Sequence, residues 1–336
     1  MNLEKSEYQH LVDDLISLIE ESKQNVVSYA NSSLTILFWH IGKRILNHTL
    51  QNQRAEYGKQ IVVTVSRQLV ERFGNNYEEK NLRRMIQFVE KFSDFEIVVT
   101  LSRQLSWSHF LAIIPLKDNE AREFYGKISA NNNWGVRELR KQIDRKLFER
   151  TEHANLQLYS SDTIEKNIFK DPYLLDFFGL KAGFLENDLE SAILRELESF
   201  ILELGNGFTF VERQKRMIID GDDFYLDLLF YHRKLKRLIA IELKIDKFKP
   251  KHKGQMELYL RWLDKYEKQE GEESPIGLIL CAETSKEQIE LLEMHKDGIM
   301  VAEYWTELLP KNILESKLHK SLIEARERIE RKRIGH

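Results

Sequence analysis

A single cysteine, Cys281, stands in the 336 residues. It excludes an intramolecular disulfide and leaves no cysteine cluster for zinc. Its setting in the apolar run Ile276 to Ala282 marks it as a core residue. Proline and glycine are also scarce, with 5 and 15 copies, which leaves little material for long flexible linkers. No apolar run reaches the length of a membrane span. The start, MNLEKSEYQH, lacks the charged-then-apolar pattern of a secretion signal, so the expected compartment is cytoplasmic, with no membrane partner. Excess positive charge is missing too: the formal net charge is −3. Overall charge therefore does not announce a nucleic-acid binder, and any such surface must be a local basic patch.

What the chain does have is apolar material for buried cores: hydrophobic residues make up 42% and charged residues 31%. Its length suits two domains. The most informative stretch runs from Phe224 to Gln255, FYLDLLFYHRKLKRLIAIELKIDKFKPKHKGQ. Two β-rich runs, Phe224 to Tyr231 and Leu238 to Ile245, flank a polar turn. Side chains alternate along a strand, so Phe224, Leu226, Leu228 and Phe230 share one face of the first run. Ile239, Ile241, Leu243 and Ile245 likewise share one face of the second, and the two sets are expected to cover a common core. The opposite face then carries Tyr225, Asp227 and Leu229 beside Ala240, Glu242 and Lys244. A hairpin centred between Lys234 and Leu235 sets Asp227 directly opposite Glu242. A slip of one residue would expose one apolar set, so the pattern itself selects this parity.

Two opposed carboxylates attract a hard cation such as Mg²⁺, or Mn²⁺ in its place, which takes oxygen ligands. The backbone carbonyl of Leu243 offers a further oxygen. Lys244 can orient a water, help deprotonate it and offset charge on a phosphate. That set suits phosphodiester hydrolysis. The competing reading is a two-stranded ribbon whose Asp, Glu and Lys simply face water. Three features favour a site. Asp inside a strand is disfavoured. Like charges directly opposite each other destabilise a sheet unless a cation or proton intervenes. The following loop is strongly basic, with Lys247, Lys249, Lys251, His252 and Lys253. Lys249, Lys251 and Lys253 are expected to hold a substrate backbone, and Gln255 to orient Lys244 or a phosphate.

Asp227, fourteen residues, then Glu242, Leu243 and Lys244 is similar to the D…(D/E)xK signature of the PD-(D/E)XK nuclease superfamily. The surrounding text is more specific. GFTFVERQ, GDDFYLDLLFYHRKLKRLIAIELK and GQMELYL resemble the nuclease domain of the YhcG-type bacterial family. Its N-terminal part is catalogued as domain of unknown function 1016, and the resemblance covers most of the chain. One departure from the superfamily's usual pattern is that no Pro precedes Asp227. The resemblance implies a restriction-endonuclease-like αβββαβ core of the α+β or α/β class. It also implies a Mg²⁺-dependent endonuclease. In that superfamily a helix before the first strand often offers a Glu to the site. The expected helix Asn187 to Leu204 places Glu196 and Glu203 beside its apolar stripe. Glu203 is the candidate catalytic residue there, against a plain boundary glutamate.

The remainder reads as helices and short strands. Leu11, Leu15, Leu18 and Ile19, then Val26 and Val27, recur at helical spacing within residues 3 to 48. Tyr57 to Phe73 is closed by Gly74, and Asn76 with Glu79 offers a cap for the next helix. There Leu82, Met85, Val89 and Phe92 point inward. The outline is helix-turn-helix-like, with Lys80, Asn81, Arg83, Arg84 and Gln87 outward, residue types that contact phosphates and base edges. Glu78 and Glu79 oppose that reading, and an ordinary helical hairpin fits as well. Ser106, Ser108 and His109 lack a nucleophile elbow and suit capping and packing. Periodicity fades over 150 to 165, which divides a helical, DNA-binding candidate domain, 1–150, from a nuclease domain, 165–336. Asp171-Pro172 begins an expected helical segment, YLLDFFGL. Phe208 to Ile219 is strand-like, and Asp220-Gly221 is a hairpin turn. A helix from Gly254 to Tyr266, a strand Ile276 to Ala282, a helix Lys286 to Met294 and a strand Ile299 to Tyr304 follow. A charged helix, Ile313 to Arg333, ends the series.

Taken together, these features describe a metal-dependent nuclease whose partner is nucleic acid, DNA favoured. Its rivals are a non-catalytic nucleic-acid-binding protein and a scaffold of a DNA-processing or defence complex. A homo-oligomer or a larger complex is the expected assembly. Asp227, Glu242 and Lys244 intact together favour the enzyme.

Overall fold

The computed structural model of the chain describes residues 2–51, 55–159, 161, 164–180, 185–307 and 309–334. Two compact units divide it, Met1–Ile143 and Asp144–His336.

The first unit is helical: α1 (Asn2–Gln51), α2 (Ala55–Phe73), α3 (Glu79–Lys91), α4 (Phe95–Ser102), α5 (Trp107–Ile113), α6 (Asn119–Asn131) and α7 (Val136–Asp144). Leu82, Met85, Val89 and Phe92 are buried, as their spacing predicts. Leu82 and Met85 of α3 pack with Phe38 and Ile45 of α1 and Val62 of α2. The α1–α3 crossing is so close that a Cβ on Gly42 would run into the Met85 carbonyl. Trp39 is a core residue whose indole N–H donates to the Phe92 carbonyl at 2.8 Å. His109 bonds Ser106 and the Trp134 carbonyl, each at 2.9 Å, so it caps and packs. Further up α1 the apolar spacing does not mark a covered face: Leu15, Leu18, Ile19, Val26 and Val27 are exposed. The side chains of Leu11 and of 331–336 lie outside the described residues. Between α2 and α3 the chain makes a 3₁₀ turn, Asn75–Tyr77, so Glu78 rather than Asn76 precedes the helix. The Tyr77 ring packs edge-on against Phe38 and Phe73, which draws the turn inward before α3 begins.

The second unit runs α8 (Leu147–Gln157), β1 (Tyr173–Leu174), α9 (Glu186–Arg195), α10 (Leu197–Leu204), β2 (Phe208–Ile219), β3 (Asp222–His232), β4 (Arg237–Lys247), α11 (Pro250–Tyr266), β5 (Ile276–Glu283), α12 (Lys286–Leu291), β6 (Ile299–Trp305) and α13 (Lys311–Ile334). The αβββαβ core of a restriction-endonuclease-like fold lies within it, from α9 and α10 to β5. Its six-stranded sheet has the order β1-β6-β5-β4-β3-β2. β2, β3 and β4 form an antiparallel meander, while β4, β5, β6 and β1 are parallel. Parallel neighbours need a crossover, and α11 supplies it between β4 and β5. The β2–β3 turn is Asp220-Gly221, both at positive φ (53° and 90°), which matches the right-handed twist of a hairpin.

Three expectations change. From sequence, 173–180 is a helix; Tyr173–Leu174 instead pairs with Tyr304–Trp305 at the sheet edge, where Tyr173 and Leu174 are fully buried. The helix expected from Asn187 to Leu204 breaks at Glu196 (φ −109°, ψ 34°) into α9 and α10. The apolar sets of β3 and β4 do not share one core, because the central strands are covered on both sides. One side packs Leu228, Phe230, Ile239, Ile241 and Leu243 against Leu189, Ile193 and Phe200 of α9 and α10. The other packs Leu226, Leu229, Ala240 and Cys281 against Met256, Tyr259 and Leu263 of α11. Leu226 and Leu228 thus fall on opposite sides, and the alternation of β3 breaks at Asp227. Helix α8, expected to lie in a fading stretch, belongs to this unit because Arg150 reaches the Pro172 carbonyl and Glu203. Among the described residues no helix is long and apolar enough to cross a membrane.

Candidate active site

The β3–β4 ladder runs from His232↔Arg237 to Leu228↔Ile241, the register that the hydrophobic pattern selects. One step further it gives way. The Asp227 carboxylate, through Oδ2, accepts the Leu243 backbone N–H at 2.8 Å. Asp227 and Glu242 therefore sit where the two strands part, at the centre of the sheet.

Glu242 is only 4% exposed. Its Oε1 accepts from Lys244 Nζ and from Gln255 Nε2, each at 2.9 Å. Gln255 is placed by α11, and the same amide nitrogen donates to the Tyr259 hydroxyl at 2.8 Å. That hydroxyl donates to the Tyr225 carbonyl at 3.2 Å, which anchors the chain of contacts back on β3. The second Glu242 oxygen, Oε2, is buried and has no hydrogen-bond partner among the described residues. On the other carboxylate, Asp227 Oδ1 accepts from Gln214 Nε2 at 3.2 Å, and that nitrogen also donates to Glu190 Oε2 at 2.9 Å. Glu186, at the start of α9, comes within 3.9 Å of Lys244 Nζ.

Burial, and next the Asp227 charge, push the Glu242 carboxyl up to about 7. Burial also raises Asp227, although the Leu243 N–H and Lys244 oppose the shift. Burial works against the Lys244 charge, but Glu242, Glu186 and Asp227 outweigh it and hold the ammonium above the usual lysine range. Two carboxylates that resist joint ionisation, one with an unpartnered buried oxygen, fit a divalent cation. Among the described residues no group of three or more His, Cys, Asp or Glu side chains is gathered to hold a metal. Asp227 and Glu242 would hold it as a pair, with oxygens from backbone carbonyl, water or substrate completing the shell.

The other expected residues divide. Gln255 joins the group. Glu203 does not: its carboxylate accepts from Arg150, from the Leu174 N–H at 3.0 Å and from Arg145 at 3.5 Å. Burial pushes its carboxyl up, but Arg150, Lys170 and Arg145 outweigh that and bring it down to about 2. It is a structural ion-pair centre. The α9–α10 break explains the misassignment, because the glutamates that approach the site, Glu186 and Glu190, lie on the first of the two helices. Lys253 is held by Asp297 at 2.7 Å, Glu257 at 3.2 Å and the Leu292 carbonyl. Lys251 is exposed, and Lys249 makes a surface pair with Asp246 at 3.0 Å. In the first unit Arg83 pairs with Glu79 at 2.6 Å, Arg84 reaches Asn81 at 3.5 Å and Gln87 is exposed. Sequence reasoning missed Gln214 and Tyr259, although both stand inside the family-like segments GFTFVERQ and GQMELYL.

Comparison with known proteins identifies the family. A family model described as the YhcG PDDEXK nuclease domain matches residues 166–323, and one described as the DUF1016 N-terminal domain matches 14–150. The protein named "Putative nuclease YhcG" from Escherichia coli (strain K12) is 33% identical over 314 residues, 82% of this chain and 84% of that protein. Among solved structures, a repair endonuclease from Pyrococcus abyssi aligns with a TM-score of 0.27 and 22% identity, over 39% of this chain and 50% of that one. An EndoMS–dsDNA2 complex gives a TM-score of 0.27 and 18% identity, over 36% of this chain and 46% of that one. The chain thus spans about half the length of these solved chains. With a DUF1016 N-terminal domain ahead of a PDDEXK nuclease domain, the chain belongs to the YhcG nuclease family.

Proposed function

We propose that this chain hydrolyses phosphodiester bonds in DNA, with Mg²⁺ or Mn²⁺ held by Asp227, Glu242 and the Leu243 carbonyl. The observation that carries the reading is the unpartnered, buried Oε2 of Glu242 beside a second carboxylate. A cation bound there supplies Lewis acidity to a phosphoryl oxygen and lowers the pKa of water. Gln255 fixes Glu242 for that role, and the Leu243 N–H fixes Asp227. Lys244 is held charged by its carboxylate neighbours, so it acts by hydrogen-bonding the attacking water and neutralising the phosphate, not as a resting base. Lys249 and Lys251, at the start of α11, would contact the substrate backbone.

The test is cleavage of plasmid DNA, single-stranded DNA and RNA by the full chain, with Mg²⁺, with Mn²⁺ and with chelator. Metal-dependent cleavage of DNA is expected. Asp227→Asn should abolish it together with metal binding. Lys244→Ala should keep metal binding while cleavage falls on the order of 10²–10³-fold, the usual loss of one electrostatic donor. Full metal-dependent cleavage by Asp227→Asn protein would refute the site, and cleavage of RNA alone would refute the substrate.

A further inference from the structure

Gln214 has a left-handed backbone, φ 47°, in the middle of β2. Its neighbours Arg213 and Lys215 pair with Leu228 and Leu226, so Gln214 stands across from Asp227. A non-glycine residue in that region is uncommon and persists only where its surroundings hold it. Here the side chain is engaged on two sides. Nε2 donates to Asp227 Oδ1 at 3.2 Å and to Glu190 Oε2 at 2.9 Å. With the Leu243 N–H on Oδ2, both oxygens of Asp227 then have a donor. Those donors are a side-chain amide and a backbone amide, and both are neutral. They orient the carboxylate without cancelling its charge, which a lysine or arginine in the same place would do. The charge stays available to a cation. We propose that Gln214 is a positioning residue of the cation site: its amide fixes the Asp227 carboxylate and ties β2 to α9 through Glu190.

This inference rests on the nuclease reading. The two separate in one set of titrations of Mn²⁺ into metal-free full chain by calorimetry, with a melting curve for each protein. Gln214→Gly removes the amide and also allows the left-handed backbone. Mn²⁺ affinity is expected to fall about 10–100-fold, as for the loss of a partner that orients a metal ligand. The melting temperature is expected to fall little, because a glycine adopts that backbone freely and this offsets part of the lost tie between β2 and α9. Glu190→Ala should weaken Mn²⁺ binding less than Gln214→Gly does. If the glycine variant does not fold, Gln214→Asn carries the test. Its amide is one carbon too short to bridge both carboxylates, so affinity should fall there too. A merely structural role would lower the melting temperature at unchanged Mn²⁺ affinity, and that result overturns the proposal. Wild-type protein that binds Mn²⁺ through Asp227, with the Gln214 variant at equal affinity, overturns this proposal alone. Wild-type protein that binds no Mn²⁺ overturns the nuclease reading as well.

Discussion

The Glu242 carboxyl keeps its proton to about pH 7, against a usual value of 4.5, because burial and Asp227 both disfavour its charge. Linkage fixes the consequence. Between pH 4.5 and 7 the folded protein binds a proton that the unfolded chain has released. The stabilisation is therefore fully present below 4.5 and is lost as pH rises through 7, on the order of 3 kcal/mol in all. Metal-free protein should become less stable across that window in urea titrations, and Glu242→Gln should flatten the slope. Mg²⁺ should restore stability above pH 7, since it takes the place of the proton. A wild-type slope that survives in Glu242→Gln would assign the effect to another group.

At the scale of the element, the β3–β4 hairpin was legible because strand side chains alternate and a one-residue slip would expose an apolar set. What the alternation could not show is how the faces are covered. α11 lies over the side that carries Glu242, and the reversal at Asp227 moves Phe224 and Leu226 to that side. The α9–α10 break at Glu196 has neither Pro nor Gly to mark it, so one long helix was the natural reading and placed the glutamate at the wrong end. Tyr173–Leu174 is too short for strand periodicity to register. The α2–α3 pair was legible as helix, tight turn, helix, and its buried residues followed the pattern. Arg83 is paired with Glu79 one turn back, and both are exposed, so the pair is weak. If α3 contacts phosphates, Glu79→Gln should strengthen DNA binding by freeing Arg83. Reversing Arg83 and Arg84 to Glu should weaken it and reduce the salt slope by about one per phosphate contact. Unchanged affinity and slope in both variants would make this face structural or a protein contact.

Across the second unit as a whole, two buried glutamates show opposite electrostatics. Glu203 is 5% exposed and Glu242 is 4% exposed, so burial pushes both carboxyls up. Glu203 is nevertheless brought down to about 2, because Arg150, Lys170 and Arg145 surround it. Its stabilisation is present above the unfolded value of 4.5 and is lost as pH falls through about 2. The chain supplies its own cations there, and they join α8, β1 and α10 into one body. Around Glu242 it supplies one lysine for two carboxylates and leaves Oε2 unpartnered. A proton at low pH, or a cation at higher pH, would supply the missing positive charge from solution, and that would separate a binding site from a structural ion pair. The contrast predicts how each responds to neutralisation. Glu203→Gln should lower stability by about 3–5 kcal/mol, as when one partner of a buried ion pair is removed. It should leave Mg²⁺ affinity unchanged. Glu242→Gln should raise the stability of metal-free protein at neutral pH and abolish the gain in melting temperature expected for the wild type with Mg²⁺. Melting curves of both variants with and without Mg²⁺ decide it. Loss of Mg²⁺ stabilisation in Glu203→Gln protein that is still folded would return Glu203 to the metal site.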